Sequence, residues 1–399
     1  MSLVKNEEIK NTVTGLWKQY LLTAVADDIL MGEISDHLYV ENIDFQGLAA
    51  KKGENYLASV VADTAFGDTI EDAVSQLVYD REEMKPYSEL LDFMEPEELI
   101  ERILSCISMH IARYSPESVT ENPYFKHVRV RGRAECGHIS LTENDYLPGE
   151  FIQTYNGTFR RNDQFSTCAA GYFDGRVRFP VLLEDGNVWM SIVLSEIQSM
   201  ALPVEKASGK VITYGLGLGY YVYMVSSKPD VESVTVIEKN PDVISLFRKK
   251  LLPQFPNKEK VQIIEDDAFD FIRKQKDGEF NYAFSDFWGG FYDGLELYLR
   301  FASETAGFVN TVHDYWIESC FADLFFRPAV MQFLMEDILE RKVRITDQGK
   351  KVRRMQRAFI DFLRHEKPAL TGTDEIYRLL DYASLIPLMR KFAAYFSHR

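Results

Sequence analysis

Residues 209–219 read GKVITYGLGLG, an apolar strand pattern that runs directly into a glycine-rich turn. Glycines between a parallel strand and a helix let the backbone turn tightly and let a ligand approach the main-chain amides. In an open α/β sheet, ligands bind in this crevice, beyond the carboxyl ends of the strands. Position 220, where the dinucleotide fingerprint has its third glycine, holds Tyr220, so a nicotinamide or flavin nucleotide is disfavoured. Taken alone, the glycines are equally compatible with a turn that binds nothing.

Strand-like and helix-like segments alternate along the chain around this turn. The strand candidates are VITY (211–214), VTVIE (234–238), VQII (261–264), FNYAFSD (280–286) and FVNTV (308–312). Segments with helical spacing of apolar residues lie between them. This alternation is typical of βαβ crossovers, and it predicts an α/β fold with a doubly wound, mostly parallel sheet.

Acidic residues follow the second, third and fourth strand candidates. Glu238 ends the second, and a carboxylate there can accept both hydroxyl hydrogens of a ribose. Asp266 and Asp267 follow the third, where a carboxylate can accept a hydrogen bond from an exocyclic amine such as adenine N6. Two alternatives stay open: Glu238 as a solvated strand-end charge, and Asp267 as the N-cap of the next helix. Asp286 ends the fourth candidate, at the same edge of the sheet.

The ordered motifs of residues 209–290 resemble a class I S-adenosylmethionine-dependent methyltransferase domain. The resemblance implies a Rossmann-like sheet in the strand order 3-2-1-4-5, with S-adenosylmethionine lying across the glycine turn. It also implies Glu238 on the ribose, residues 266–268 around the adenine and Asp286 beside the reacting centre. Tyr214 stands where these methyltransferases usually have an acid. The implied cofactor-binding residues are Tyr214, Gly215, Gly217, Gly219, Glu238, Asp266, Asp267 and Ala268.

Residues 185–200, DGNVWMSIVLSEIQSM, are similar to the segment that precedes this fold in the polyamine aminopropyltransferases, the spermidine synthases. Glu196 and Met200 lie roughly where those enzymes have a Glu-Met helix start. The same enzymes carry a second acid three residues after the one that matches Asp286, and this acid helps to hold a cationic amine. This chain has Gly289 there, so the segment favours aminopropyl transfer and Gly289 opposes it.

The region from about 123 to 202 contains three hairpin signals, Asn156-Gly157, Asp174-Gly175 and Asp185-Gly186. These dipeptides accept the positive φ angles that tight hairpin turns require, so we expect a small antiparallel β unit. Cys136-Gly137-His138 contains two metal-ligand types without a second pair at zinc-site spacing. It therefore predicts a turn, and we expect no metal site.

Both ends of the chain are expected to be helical. Apolar residues from Ile100 to Ile111 recur at helical spacing after Pro96, which suits the first turn of a helix. The apolar helices of the N-terminal region favour a homodimer. The predicted organisation is a helical N-terminal domain (1–121), a small antiparallel β unit (122–202), an S-adenosylmethionine-binding Rossmann-like domain (203–330) and a helical C-terminal extension (331–399).

The composition argues against several classes of partner. Lys and Arg number 45 against 61 Asp and Glu, a formal net charge of −16 with a pI near 5.0. A nucleic acid is not an expected partner, because affinity for its phosphates depends on cationic side chains. No uncharged apolar run approaches the ~20 residues of a membrane span, and the start of the chain has no apolar leader. We therefore expect a cytoplasmic protein with no membrane partner.

The predicted function is methyl transfer from S-adenosylmethionine to an unidentified small-molecule acceptor. The reaction is an in-line displacement, so the enzyme contributes orientation and, where the acceptor loses a proton, a base, for which Asp286 is the candidate. Trp288 either lines the acceptor pocket or packs in the core, and His313-Asp314 either reach the cleft or pack. The alternatives are aminopropyl transfer from decarboxylated S-adenosylmethionine and a non-catalytic cofactor-binding or interaction protein.

Overall fold

The computed structural model describes residues 6–37, 70–108, 111–148, 151–154, 170–289, 291–343, 349–366, 368 and 370–397. The chain forms two compact units, each assembled from three separate stretches. The first unit comprises Met1–Tyr114, Pro148–Asp174 and Ala322–Met389; the second comprises Ser115–Leu147, Gly175–Phe321 and Arg390–Arg399. The predicted turn at Asn156-Gly157 lies outside the described residues.

The strands and helices alternate through the second unit, whereas the first unit is mainly helical. The strands are β1 Ile111–Tyr114, β2 Ala134–Cys136, β3 Ile139–Tyr146, β4 Phe151–Gln153, β5 Ala170–Phe173, β6 Val177–Glu184, β7 Asn187–Ser191, β8 Gly209–Tyr214, β9 Val231–Glu238, β10 Val261–Glu265, β11 Tyr282–Ser285 and β12 Val312–Tyr315. The α-helices are α1 Glu7–His37, α2 Ile70–Tyr79, α3 Pro96–Ser108, α4 Glu117–Thr120, α5 Pro123–His127, α6 Leu194–Ser199, α7 Ala201–Lys206, α8 Tyr220–Ser226, α9 Pro241–Leu246, α10 Ala268–Ile272, α11 Phe291–Glu304, α12 Glu318–Phe321, α13 Arg327–Asp337, α14 Lys350–Glu366, α15 Thr373–Leu380 and α16 Tyr382–Ser397.

The second unit contains a five-stranded parallel sheet in the order β10-β9-β8-β11-β12. Numbered along the chain, this order is 3-2-1-4-5, so the predicted α/β, Rossmann-like fold of methyltransferase type is confirmed. The central strands are apolar because helices cover both faces of such a sheet. Val211, Ile212, Val234, Val236 and Phe284 are fully buried.

A four-stranded antiparallel sheet, ordered β2-β3-β6-β7, precedes the parallel sheet in the chain. The predicted hairpin turn at Asp185-Gly186 joins β6 to β7, with φ angles of +50° and +83°. The predicted turn at residues 136–138 joins β2 to β3, where Gly137 has φ +54°. Both predicted turns are confirmed, because Gly137 and the Asp185-Gly186 pair accept the positive φ angles that these tight turns need.

The predicted hairpin at Asp174-Gly175 is wrong. The strand before it, β5, pairs with β1 and β4 in a three-stranded sheet of the first unit, whereas β6 belongs to the antiparallel sheet of the second. Asp174 is instead held at the end of β1. Its main-chain N–H donates to the Tyr114 carbonyl at 3.0 Å, and its carboxylate pairs with Arg113 at 3.2 Å. The dipeptide indicates a turn but does not determine which strands pair.

The fifth strand of the parallel sheet begins later than predicted, at Val312 rather than at 308. The Asp277 carboxylate accepts hydrogen bonds from the main-chain N–H groups of residues 309–311 at 3.0, 2.8 and 3.1 Å, which holds them in a turn. His313 therefore lies inside β12 and not after it. The ring of His313 is buried, and its centroid lies 5.3 Å from that of Phe308. Burial lowers the pKa of His313 to about 4. His313 is a core residue.

Among the described residues, the helical character of both ends is confirmed, with one difference in detail. The helix after Pro96 ends at Ser108, and Ile111, which follows the same apolar spacing, begins the strand β1. None of the described helices combines the length and the apolar character needed to cross a bilayer.

An ion pair with a buried carboxylate joins the middle of α16 to the segment after β12. Arg390 donates from Nε and Nη2 to the two carboxylate oxygens of Glu318, at 2.7 Å each. The Tyr298 hydroxyl donates to the same carboxylate at 2.7 Å. Glu318 is only 4% exposed, so its charge depends on this bidentate partner.

We predict that Arg390→Ala lowers the free energy of unfolding by about 3 kcal/mol, because it leaves the Glu318 carboxylate buried without a cation. Arg131→Ala is the control, since Arg131 is exposed and pairs with no described carboxylate. Urea unfolding at neutral pH measures both. Equal stability of the two variants would contradict a structural role for the pair.

Candidate functional site

The glycine turn after β8 is held by contacts to two neighbouring segments. Gly215 has φ +101°, and a Cβ placed there would lie 1.9 Å from the carbonyl oxygen of Asp286. Gly217 has φ +48°, and its Cβ would lie 2.1 Å from the sulfur of Met190. No other residue type combines the left-handed backbone with this close approach, so the packing explains the glycines even without a ligand.

Met190 in β7 is a contact of the glycine turn that the sequence analysis did not assign. The main-chain N–H of Leu218 points at its Sδ atom, at 3.2 Å. The antiparallel sheet therefore covers the turn at this position. Residues 185–200 indicated that a hairpin precedes the nucleotide fold, but nothing in the pattern singled out Met190.

Glu238 lies at the carboxyl end of β9 and is 6% exposed, which rules out the alternative of a solvated strand-end charge. Its Oε2 accepts from the N–H of Leu216 at 3.1 Å, and its Oε1 accepts from the N–H of Asn240 at 2.8 Å. Burial raises the pKa of Glu238, while these amide bonds oppose the shift. A carboxylate has roughly four acceptor positions, so at least one remains for a further donor such as a ribose hydroxyl.

The acids after β10 are engaged at the start of α10. Asp267 is the N-cap, because its Oδ1 accepts from the N–H groups of Phe269 and Asp270 at 2.8 and 3.4 Å. The alternative role proposed for Asp267 is thus confirmed. Asp266 pairs with Lys274 at 3.3 Å and accepts from the N–H of Asp267 at 2.9 Å. Ala268 is the first residue of the helix that this cap begins.

The side chain of Tyr214 points into the core. Its ring is fully buried and edge-on to those of Phe271 and Phe301, and its hydroxyl donates to the side-chain oxygen of Gln275. Only its main chain reaches the sheet edge, where its carbonyl accepts from the N–H of Asp286 at 2.8 Å. Any contact of Tyr214 with a ligand in the crevice is therefore a main-chain contact.

Asp286 follows β11 directly, and its charge affects a second acid, Glu196 in α6. Burial raises the pKa of Asp286 to about 7. Burial also raises the pKa of Glu196 to about 8, and the negative charge of Asp286 adds to that shift. Acids with pKa values near neutrality are suited to proton transfer, and Asp286 is the one that lies at the sheet edge.

Two hydrogen bonds at the end of α6 determine where the helix that carries Glu196 lies. Glu196 lies in α6, whose last residue, Ser199, accepts a hydrogen bond from the Trp316 indole at 2.9 Å. The main-chain N–H of Trp316 donates to the Ser285 carbonyl at 3.0 Å. These two bonds hold the end of α6 at the end of β11, next to Asp286. The sequence signal for Glu196 was its match to the spermidine synthase segment, which assigned it no role.

Trp288 packs against the core. It is 8% exposed, its ring centroid lies 4.0 Å from that of Phe287, and its indole N–H donates to the Ser285 carbonyl at 3.2 Å. Among the residues that the structure describes, no group of three or more His, Cys, Asp or Glu side chains is arranged to hold a metal ion.

Comparisons with known proteins leave the family open. No family model matches the chain, and no curated protein does. The chain is similar to the solved structure of spermidine synthase from Thermotoga maritima, at 20% identity over 27% of this chain and 42% of that chain, with a TM-score of 0.22. It is also similar to a probable spermidine synthase from Corynebacterium glutamicum, at 14% identity over 50% of this chain and 70% of that chain, with a TM-score of 0.31. A third similar structure is MNMC2 from Aquifex aeolicus, at 15% identity over 53% of this chain and 82% of that chain, with a TM-score of 0.26. The chain thus spans less than half of the first of these, and such similarities are too distant to identify it.

We predict that Gly215→Ala is more destabilising than Gly186→Ala. Both glycines have positive φ, which costs roughly 1–2 kcal/mol for alanine. Only at Gly215 does the added Cβ also meet a backbone oxygen, which adds roughly 1–3 kcal/mol. Urea unfolding of both variants measures the difference, and equal losses would contradict the close packing of the turn on Asp286.

We also predict that Asp286 makes a contribution to folding stability that is lost as pH rises from about 4 towards about 7, so the unaltered protein loses stability relative to Asp286→Asn over this window. The folded state holds a proton on Asp286 in this window that the unfolded chain releases, because the folded pKa is raised to about 7. Thermal unfolding midpoints across the window test this. Glu232→Gln is the control, since Glu232 is an exposed carboxylate of β9; identical profiles for all three proteins would contradict the burial of Asp286.

Proposed function

We propose that the chain is an S-adenosylmethionine-dependent methyltransferase that acts on a small-molecule acceptor. The observation that carries the proposal is the buried Glu238 carboxylate, fixed by the amides of Leu216 and Asn240 beside the glycine turn. It has acceptor positions left over at the carboxyl edge of a 3-2-1-4-5 sheet, where α/β proteins bind ligands.

Glu238 would hold the ribose hydroxyls of the cofactor. Asp266 and the Asp267-Ala268 peptide lie after the neighbouring strand and would border the adenine. The turn from Gly215 to Gly219 would support the methionine part through its main chain. S-adenosylmethionine supplies an electrophilic methyl group whose leaving thioether needs no protonation.

Asp286 would accept a proton from the acceptor. Its raised pKa makes it a stronger base than an exposed aspartate, and at neutral pH a large fraction is still ionised. The Asp286 main chain is fixed on both sides, by the Tyr214 carbonyl and by the contact with Gly215. A fixed base contributes through orientation as well as basicity.

Aminopropyl transfer from decarboxylated S-adenosylmethionine is the second candidate. It is favoured by Glu196, whose carboxylate interacts with that of Asp286 and so supplies a second acid that position 289 lacks. The hairpin that reaches the glycine turn through Met190 supports the same candidate.

Calorimetric titration with S-adenosylmethionine, its decarboxylated form and NAD tests both candidates. We expect one of the two sulfonium compounds to bind, and Glu238→Ala to weaken that binding by about 1.5–3 kcal/mol, because charge-assisted hydrogen bonds are lost. Glu232→Ala is the matched control on the same strand. Absence of binding by both sulfonium compounds would overturn the enzyme proposal and favour an interaction protein.

A further inference from the structure

One hydrogen bond of the glycine turn is chemically unlike its neighbours. The main-chain N–H groups of Gly215, Leu216 and Gly219 donate to oxygen atoms, at 2.8, 3.1 and 2.8 Å. The N–H of Leu218 points instead at the sulfur of Met190, at 3.2 Å. A thioether is a weak acceptor, so this N–H is the least well satisfied of the four. An oxygen acceptor that reached it would form a stronger hydrogen bond.

The residues that follow this N–H are held in place by the helix α5. The Tyr124 hydroxyl donates to the Leu218 carbonyl at 2.8 Å, and Tyr124 is buried. Asn122, the N-cap of α5, donates from its side-chain amide to the Tyr220 hydroxyl at 2.9 Å. A change that frees the Leu218 N–H is therefore a movement of Met190 and not of the turn.

The strand that carries Met190 is irregular at this point. In the pairing of β7 with β6, Met190 lies opposite Leu182 and Val188 lies opposite Leu183, so Trp189 is an extra residue that forms a bulge. Bulges re-aim the neighbouring side chains and are frequent beside active sites. β7 is also the last strand in its sheet, so no described strand pairs with its other edge.

The Met190 side chain has room to move and little that holds it. It is half-buried, so one side of it faces solvent. Methionine is unbranched and has three rotatable bonds, so it adapts to a new position at low cost. The space that its sulfur occupies lies against Gly217, where a Cβ atom would overlap with it. A ligand that enters this space meets the N–H of Leu218.

We propose that the Met190 side chain closes the glycine turn when no cofactor is bound, and that the carboxylate of the cofactor's methionine part displaces its sulfur from the Leu218 N–H. The inference rests on the proposed function and adds a residue that sets the affinity of the same site. Met190 controls access to the amino-acid end of the cofactor, while Glu238 remains the contact for the ribose.

The displacement weakens binding by a predictable amount. When Met190 leaves the turn, the apolar surface that it buries there returns to water, and the apparent affinity of the cofactor falls by the same free energy. Re-exposure of one or two methylene groups corresponds to a factor of about four to fifteen. A variant without this side chain binds the carboxylate without that cost.

Calorimetry with S-adenosylhomocysteine and methylthioadenosine tests this. Both compounds contain adenosine and a thioether, but only S-adenosylhomocysteine has the carboxylate. We expect Met190→Ala to bind S-adenosylhomocysteine about four- to fifteenfold more tightly than the unaltered protein, and methylthioadenosine with unchanged affinity. Val188→Ala is the matched control on β7, since Val188 is 63% exposed, and it should leave both affinities unchanged.

NMR of protein with labelled methionine methyl groups gives a second readout. The Met190 signal is identified by its loss in Met190→Ala. In the unaltered protein it should shift when S-adenosylhomocysteine is added and stay in place with methylthioadenosine. A signal that S-adenosylhomocysteine leaves in place would overturn the displacement.

The outcomes separate this inference from the function it rests on. If S-adenosylhomocysteine binds neither the unaltered protein nor Met190→Ala, the proposed function falls and the inference with it. If it binds, but Met190→Ala weakens it, leaves it unchanged or alters both compounds equally, only the inference is overturned. Circular dichroism confirms that each variant is folded.

Discussion

The close approach of Gly215 to the carbonyl oxygen of Asp286 determines the geometry of the candidate site. The gap is too small for a Cβ atom, so the turn after β8 lies directly against the end of β11. The hydrogen bond from the Asp286 N–H to the Tyr214 carbonyl closes the same junction. Because the two central strands are joined in this way, the glycine turn and the candidate base are held side by side.

Acidic side chains in two parts of the second unit differ in whether a cation is paired with them. Around β12, Glu318 and Asp314 are matched by Arg390 and Lys206, and the arrangement is purely structural. Among the residues that the structure describes, Asp286 after β11 and Glu196 in α6 form no ion pair.

The local patterns predicted where the acids Glu238 and Asp286 lie in the parallel sheet. Glu238 and Asp286 lie at the sheet edge because the carboxyl ends of parallel strands all face the same way. The start of β12 was misplaced because apolar spacing in residues 308–312 resembles a strand, while the Asp277 carboxylate, distant in sequence, bonds their amides into a turn. Glu196 and Met190 were not assigned because their importance depends on contacts with other elements.

Alternating periodicity, the glycine turn and the strand-end acids by themselves determined that this chain forms a mostly parallel α/β sheet with the turn and the acids at one edge, whereas the strand order 3-2-1-4-5 was implied by the resemblance to a known family. Those features are local, since each depends on residues within a few positions of one another. Only the tertiary structure decided that Tyr214 faces the core, that Met190 covers the glycine turn and that the end of α6 is held at the end of β11. Such placements depend on packing between segments far apart in the chain, and no spacing within one segment encodes them.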